Sequence, residues 1–207
     1  MTDILTTVRV VDDDRAVRDS LKLLLHSVGL NAETYASAAE FLENDDPAIP
    51  GCVVLDVRMP GMSGLELQEF LVSRGSRLPI VFVTAHGDIP MAVQAVKAGA
   101  IDFIQKPFRD QELLDKIQQA IKEDARRRRE SSEVAGILQR MDSLTPRERQ
   151  VMDLVVGGHA NKVIAIDLGI SERTVEIHRA RVMQKMEADS VPHLVQMAIM
   201  VQDQLQQ

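Results

Sequence analysis

Apolar residues follow two different rhythms along this chain. Up to about residue 123, short β-branched runs alternate with stretches in which apolar positions recur every three or four residues. The runs lie near 7–12, 31–36, 52–57, 80–85 and 101–105, each bounded by turn residues. Continuous apolar runs of this length read as strands buried on both faces of a parallel sheet. Between them, Val17, Leu21, Leu24, Leu25 and Val28 keep helical spacing, and Ser37 with Glu40 forms a capping-box pattern. Further helices are expected near 64–73, 89–98 (stopping at Gly99) and 110–122. Five strand–helix units with short loops predict an α/β fold, a five-stranded doubly wound parallel sheet, because parallel neighbours require right-handed crossovers.

The second rhythm begins after a charged break. Arg126 to Arg129 interrupt the alternation, followed by Glu130-Ser-Ser-Glu133. Two readings of the arginines stay open: a solvated helical linker, or a basic cluster touching DNA phosphates or the acidic first module. Val134, Ile137, Leu138 and Met141 keep an i, i+3, i+4, i+7 stripe, which predicts a helix in this link. From 142 onward strand-like runs stop. Thr145-Pro-Arg-Glu148 combines an N-cap Thr, a Pro behind it and a Glu three residues after the cap. Val151, Met152, Leu154 and Val155 then face a core until Gly157-Gly158 ends the helix. A second helix spans 161–168 and ends at Leu168-Gly169-Ile170, Ser171 caps a third running to about Met186, and Val191, Pro192, Leu194, Val195, Ala198 and Ile199 mark a fourth. Two short helices joined by a Gly-containing turn read as helix-turn-helix. The expected organisation is an α/β domain over 1–123, a charged helical linker over 124–141 and a second, all-α domain of four helices over 142–207.

Composition narrows the class. With 207 residues the chain is long enough for one domain or two small ones. Its single cysteine, Cys52, excludes an internal disulfide framework and a Cys-rich zinc site, and at the start of a buried strand it reads as a small core residue. No signal-peptide pattern opens the chain and no apolar stretch approaches the roughly 18 residues of a membrane span, so a cytoplasmic protein is expected. Residues 1–123 hold 12 Lys/Arg against 19 Asp/Glu, and residues 124–207 hold 12 of each. The whole net charge of −7 therefore sits in the first module, which argues against non-specific nucleic-acid binding by the entire chain and leaves local binding by the second module open.

The predicted strands end in chemically loaded residues: Asp12-Asp13-Asp14, then Asp56, Thr84 and Lys106. Carboxyl ends of strands form the ligand crevice of an open α/β sheet, so these residues are expected to converge from distant parts of the chain. A carboxylate accepts a phosphoryl group poorly until charge on both partners is neutralised. A cofactor ion, Mg²⁺ or Mn²⁺, does this with carboxylates, a backbone carbonyl and water as ligands. Asp12, Asp13 and Asp56 supply carboxylates and Arg58 a carbonyl, while Lys106 pairs with the phosphoryl oxygens and Thr84 hydrogen-bonds them. Asp14 reads equally as a cap for the first helix, and Lys106-Pro107 is a candidate cis peptide.

The stretches Val11-Asp-Asp-Asp14, Leu55-Asp-Val-Arg-Met-Pro-Gly61, Val83-Thr-Ala-His86 and Phe103-Ile-Gln-Lys-Pro-Phe108 resemble the receiver domain of two-component response regulators over roughly residues 1–123. The resemblance implies the strand order 2-1-3-4-5, Asp56 as phosphoacceptor, Asp12 and Asp13 as Mg²⁺ ligands, and Thr84 and Lys106 as sensors of the phosphoryl group. Phe103 falls at the family's aromatic switch position; lacking a hydroxyl, it is expected to switch by repacking. The fourth helix, with Val93 and Lys97, is where the family dimerises. Asp56 is followed by Val57-Arg58, which offers no carboxylate to act as acid or base, and this argues against a Mg²⁺-dependent aspartyl-phosphate phosphohydrolase, the alternative class. Self-phosphotransfer and slow autodephosphorylation are the only chemistry expected.

Thr145-Pro-Arg-Glu148, Asn161 through Ser171 and Thr174-Val-Glu-Ile-His178 resemble the LuxR/NarL-type DNA-binding domain over about 142–204. That likeness assigns Thr174, Glu176, Ile177 and Ala180 to bases or nearby backbone, and Lys162, Arg173, Arg179 and Lys185 to phosphates. Relatives often carry a basic residue where Glu176 and Ala180 stand. Over 162–185 five Lys/Arg face three Asp/Glu, a weak basic footprint. His178 reads either as a DNA-facing or as a half-buried helix residue. Together the modules resemble nitrogen-fixation regulators of the FixJ group. This implies a FixL-like sensor histidine kinase, double-stranded promoter DNA and RNA polymerase as partners, a homodimer when phosphorylated, and activation of nitrogen-fixation genes under low oxygen. A helical module that binds protein instead of DNA, an adaptor, is the third reading.

Overall fold

The computed structural model describes residues 6–85 and 89–205, and the chain divides into two compact units, Met1–Arg128 and Arg129–Gln207. In the first, β1 (Thr7–Val11), β2 (Asn31–Tyr35), β3 (Gly51–Leu55), β4 (Ile80–Thr84) and β5 (Asp102–Gln105) form one parallel sheet of order β2-β1-β3-β4-β5. Register follows residue by residue, Val8 opposite Ala32 and Cys52, Val54 opposite Val81, Phe82 opposite Phe103. Pleating sends alternate side chains to opposite faces. Val8, Val10, Cys52, Val54, Val81 and Val83 meet α1 (Arg15–Ser27) and the start of α5 (Asp110–Asp142) on one side. Val11, Val53, Leu55, Ile80 and Phe82 meet α2 (Ala38–Asn44), α3 (Gly64–Ser73) and α4 (Ile89–Lys97) on the other. Two covered faces explain why these strands read as unbroken apolar runs; each fully buried Val, Leu or Ile contributes about 1.5–3 kcal/mol.

Arg9 breaks that rule and is fully buried in β1. Its guanidinium reaches Asp45 at 2.5 Å and donates to the carbonyls of Asp46 and Ile49, which satisfies the charge. Arg128 grips the same α2–β3 connection, donating to the carbonyls of Pro47, Ala48 and Ile49 and pairing with buried Asp124 at 2.8 Å. Asp124 in turn accepts from the Gly51 amide. Arg127 donates to the Arg77 carbonyl and pairs with Glu123. Arg127 and Arg128 are thus fastenings inside the first unit, and neither is a free phosphate-binding cation.

This corrects the expected end of the fifth helix. The pattern stops near 122 because the apolar stripe stops there, yet α5 continues to Asp142. No Pro or Gly interrupts 110–135, and the arginines pair at i, i+3 and i, i+4 with Glu123 and Asp124, which supports helix where no core does.

The second unit comprises α6 (Pro146–Val156), α7 (Asn161–Leu168), α8 (Glu172–Met186) and α9 (Val191–Leu205) with the last turns of α5. Val134, Ile137 and Met141 join Val151, Met152, Val155, Ile164, Val175, Val182, Met186 and Leu194 in one core. The core therefore takes a wall from the linker segment as well as from the four expected helices. Thr145 and Glu148 close a reciprocal capping box on α6. No helix among the described residues is long and apolar enough to cross a membrane.

Candidate functional site

Three strand ends bring Asp12, Asp56 and Lys106 together. Asp12 and Asp56 are buried. Lys106 Nζ lies 2.7 Å from Asp12 Oδ2 and 3.3 Å from Asp56 Oδ1, bridging the two carboxylates. The remaining Asp56 oxygen accepts from the Arg58 amide at 2.7 Å. Burial pushes the Asp56 pKa above its ordinary value, Lys106 and the Arg58 amide only partly offset this, and the Asp12 charge adds to the rise. For Lys106 burial works downward, but its hydrogen bonds and proximity to Asp12 and Asp56 win, and its pKa stands above the ordinary lysine value. The Lys106–Pro107 peptide is cis.

The three acidic residues after β1 divide their work. Asp12 Oδ1 accepts from the Asp14 amide, and Asp14 accepts from the Ala16 amide as the N-cap of α1. Asp13, next in the chain, is exposed. Among the described residues no three His, Cys, Asp or Glu side chains close a cage for a metal ion. Two convergent carboxylates already holding a cation between them do fit Mg²⁺, which keeps several waters and takes only one or two carboxylates from a protein.

Thr84 is buried at the end of β4, and its carbonyl accepts from the Lys106 amide at 2.8 Å. Residues 86–88, which include the His86 of the Val83-Thr-Ala-His86 stretch, lie outside the described residues. Phe103 is half-buried against Phe82, ring centroids 6.1 Å apart. Val93 and Lys97 are exposed on α4, where Ile89, Val93 and Val96 form an apolar stripe at helical spacing. Two contributors escaped the sequence reading. Gly64 opens α3 so close to Asp56 that a Cβ there would stand 2.2 Å from the Asp56 carbonyl oxygen. Arg18, on α1, donates to the Asp12 carbonyl at 2.6 Å. A glycine in a turn-rich segment signals only a turn, and one arginine on a polar helix face gives no signal at all.

In the second unit, Gly169 ends α7 in the left-handed region (φ 64°) and Ser171 caps α8 through the Thr174 amide. Val175, Val182 and Met186 turn α8 toward the core. That leaves Arg173, Glu176, Ile177 and Ala180 exposed, with Lys162 exposed on α7. Thr174 is half-buried, its hydroxyl 2.8 Å from that of Ser171. Arg179 donates to Asn161 at 3.0 Å across the helix-turn-helix. His178 is half-buried with Nδ1 enclosed and unpartnered, which favours the inward reading for this residue. Lys185 belongs elsewhere than the expected phosphate set: its ammonium binds buried Glu148 at 2.7 Å and the Ser143 carbonyl at 3.0 Å.

Family models agree with this geometry. Residues 8–118 match the response regulator receiver domain and residues 142–198 match the bacterial regulatory proteins of the luxR family. The chain is a response regulator with a LuxR-type DNA-binding domain. It is 48% identical to the transcriptional regulatory protein FixJ of Azorhizobium caulinodans over 193 residues, 93% of this chain and 92% of that protein. It is 43% identical to the response regulator TodT of Pseudomonas putida over 206 residues, all of this chain and 91% of TodT. Among solved structures, that of the response regulator StyR matches with a TM-score of 0.82 and 51% identity, covering 93% of the regulator and 98% of StyR.

Proposed function

We propose that this regulator receives a phosphoryl group on Asp56 from a sensor histidine kinase, dimerises and binds promoter DNA to activate transcription. The observation that carries the reading is the Lys106 bridge between two buried carboxylates, of which one, Asp56, has its other oxygen held by the Arg58 amide. An Asp56 carboxylate oxygen attacks phosphorus, the P–N bond to the kinase imidazole breaks, and the imidazole nitrogen leaves with its electron pair. Asp12, Asp13, Asp56 and the Arg58 carbonyl would hold Mg²⁺, which neutralises charge on donor and acceptor when bound. Lys106 then trades part of its carboxylate contact for the phosphoryl oxygens, and Thr84 donates its hydroxyl to them. Water attack on phosphorus later returns carboxylate and inorganic phosphate; the segment after Asp56 offers no carboxylate to speed it.

Phosphorylation adds about one negative charge and three acceptor oxygens. Phe103 repacks, and the exposed face of α4 with Val93 and Lys97 pairs with a second copy. The receiver extends through 123, a helical linker through 141, and the DNA-binding domain to 207. A dimer presents two α8 helices to half-sites one helical turn apart. Arg173, Glu176, Ile177 and Ala180 face the groove, with Lys162 and Arg179 at phosphates. The finer reading, a FixL-like kinase, RNA polymerase as output and nitrogen-fixation genes under low oxygen in the cytoplasm, rests on likeness to FixJ; TodT and StyR match at comparable identity.

Footprinting on genomic fragments with wild type and Asp56→Asn, both treated with acetyl phosphate, tests the mechanism. Protection is expected from wild type alone, at nitrogen-fixation promoters, and weakens as salt rises. Equal protection by both proteins removes Asp56; protection elsewhere removes only the nitrogen-fixation assignment.

A further inference from the structure

Every polar group of Asp12 is held. Its amide donates to the Tyr35 carbonyl at 3.2 Å, Oδ1 accepts from the Asp14 amide at 2.9 Å and Oδ2 from Lys106 at 2.7 Å. The carbonyl is gripped by half-buried Arg18, whose Nη1 stands 2.6 Å away, the shortest of the four. That carbonyl belongs to the Asp12–Asp13 peptide plane, so fixing it fixes the backbone from which the Asp13 side chain departs. Among the described residues the exposed Asp13 carboxylate has no hydrogen-bond partner of its own. Its direction is therefore left to the backbone, and Arg18 is the one side chain bonded to that peptide group. The planar fork of arginine is suited to such a hold, because it grips a carbonyl with fixed geometry and carries no acceptor that would compete for a cation.

We propose that Arg18 is a positioning residue that orients the Asp12–Asp13 peptide so that Asp13 can serve a divalent cation, an inference that rests on the metal-assisted reading of Asp56. The alternative role for Arg18 is electrostatic, and the two roles have opposite signs. Asp12, Asp13, Asp14 and Asp56 crowd the site with negative charge, so a cationic neighbour that acted only through its field would repel a divalent ion. Removing such a charge would tighten metal binding. Removing a positioning group loosens it, as with residues that orient metal ligands from outside, whose loss costs about 10–100-fold in affinity.

The test is Mn²⁺ binding to the full chain, read as the loss of the free-ion electron paramagnetic resonance signal, with thermal unfolding as the check on folding. Arg18→Met is expected to weaken Mn²⁺ binding by about 10–100-fold, and Arg18→Lys, which keeps charge and most of the length, by a smaller factor. Because Arg18 acts through Asp13, the double variant Arg18→Met with Asp13→Asn should bind no more weakly than the weaker single variant. Unchanged or tighter binding in Arg18→Met, or additive losses in the double variant, overturns the proposal. If Arg18→Met does not fold, the Arg18→Lys comparison decides alone: binding equal to wild type overturns it. Binding that ignores Asp12→Asn, Asp13→Asn and Asp56→Asn alike defeats the metal reading itself, a result distinct from either outcome at Arg18.

Discussion

Lys106 Nζ lies 2.7 Å from Asp12 Oδ2 across 94 positions of sequence, and the same ammonium touches Asp56 at 3.3 Å. Even with this cation beside it, burial leaves the Asp56 pKa above its ordinary 3.8. A raised folded-state pKa means the fold favours the protonated acid. That contribution to stability is complete below the unfolded value and is lost as pH rises through the folded one. Ionised Asp56 therefore costs stability at neutral pH. Asp56→Asn, with the shape of the neutral acid, should raise the urea midpoint of the receiver at pH 7 in metal-free buffer. The gain should shrink as pH falls toward 4; equal midpoints at pH 7 would contradict the assignment.

Gly64 sits where a Cβ would meet the Asp56 carbonyl oxygen at 2.2 Å. Backbone cannot yield as a flexible side-chain tip can, so Gly64→Ala should destabilise the receiver by about 1–3 kcal/mol through overpacking. Because the displaced carbonyl is that of Asp56, labelling by acetyl phosphate should fall in parallel. A variant that loses stability and keeps the full labelling rate would separate Gly64 from the site.

Arg128 donates to the carbonyls of Pro47, Ala48 and Ile49 while pairing with buried Asp124. Arg128→Met keeps the stem and removes the donors, leaving Asp124 with only the Gly51 amide. A loss of about 2–3 kcal/mol from receiver stability is expected, since a buried acceptor of this kind forfeits a charged hydrogen bond. Arg129, the exposed neighbour, should cost close to nothing when changed to Met. Denaturant unfolding of the two variants makes the comparison.

Lys185 and the Thr145 capping contact hold the Glu148 carboxyl down at about 2. A lowered folded-state pKa gives stability that is complete above the ordinary value of 4.5 and is lost as pH falls toward 2. The helical unit should therefore weaken across that interval, and Glu148→Gln, less stable at neutral pH, should show a flatter profile. Lys185→Met should cost about 1–3 kcal/mol at pH 7. In a gel shift, the salt dependence of DNA binding should keep its wild-type slope in Lys185→Met, because an ammonium committed to Glu148 releases no counterion. A slope lowered by one phosphate contact would return Lys185 to the DNA-binding set.

Much of the architecture was legible because its causes are local. All five strands lie within one or two residues of their apolar runs, and the Ser37, Thr145 and Ser171 caps stand where their side chains predicted. Asp12, Asp56, Thr84 and Lys106 were legible for a different reason: strand ends of a parallel sheet converge whatever lies between them. What failed was the environment of long side chains. Arg128 and Lys185 each carry a charge that suits phosphate, and each is spent on a partner inside the protein. The partner lies up to 81 residues away, beyond any periodicity.

By itself the sequence determined the order of elements, the two modules and which residues crown the strands, because backbone propensity, capping and alternation act over a few residues. Only the tertiary structure decided which charges are free. A cation's partner is set by whichever acceptor the fold brings within about 3 Å, and that distance is a property of packing between elements. So Arg127 and Arg128 became fastenings, Lys185 became the partner of buried Glu148, and Arg18, unmarked in the sequence, came to rest on the carbonyl beside Asp13.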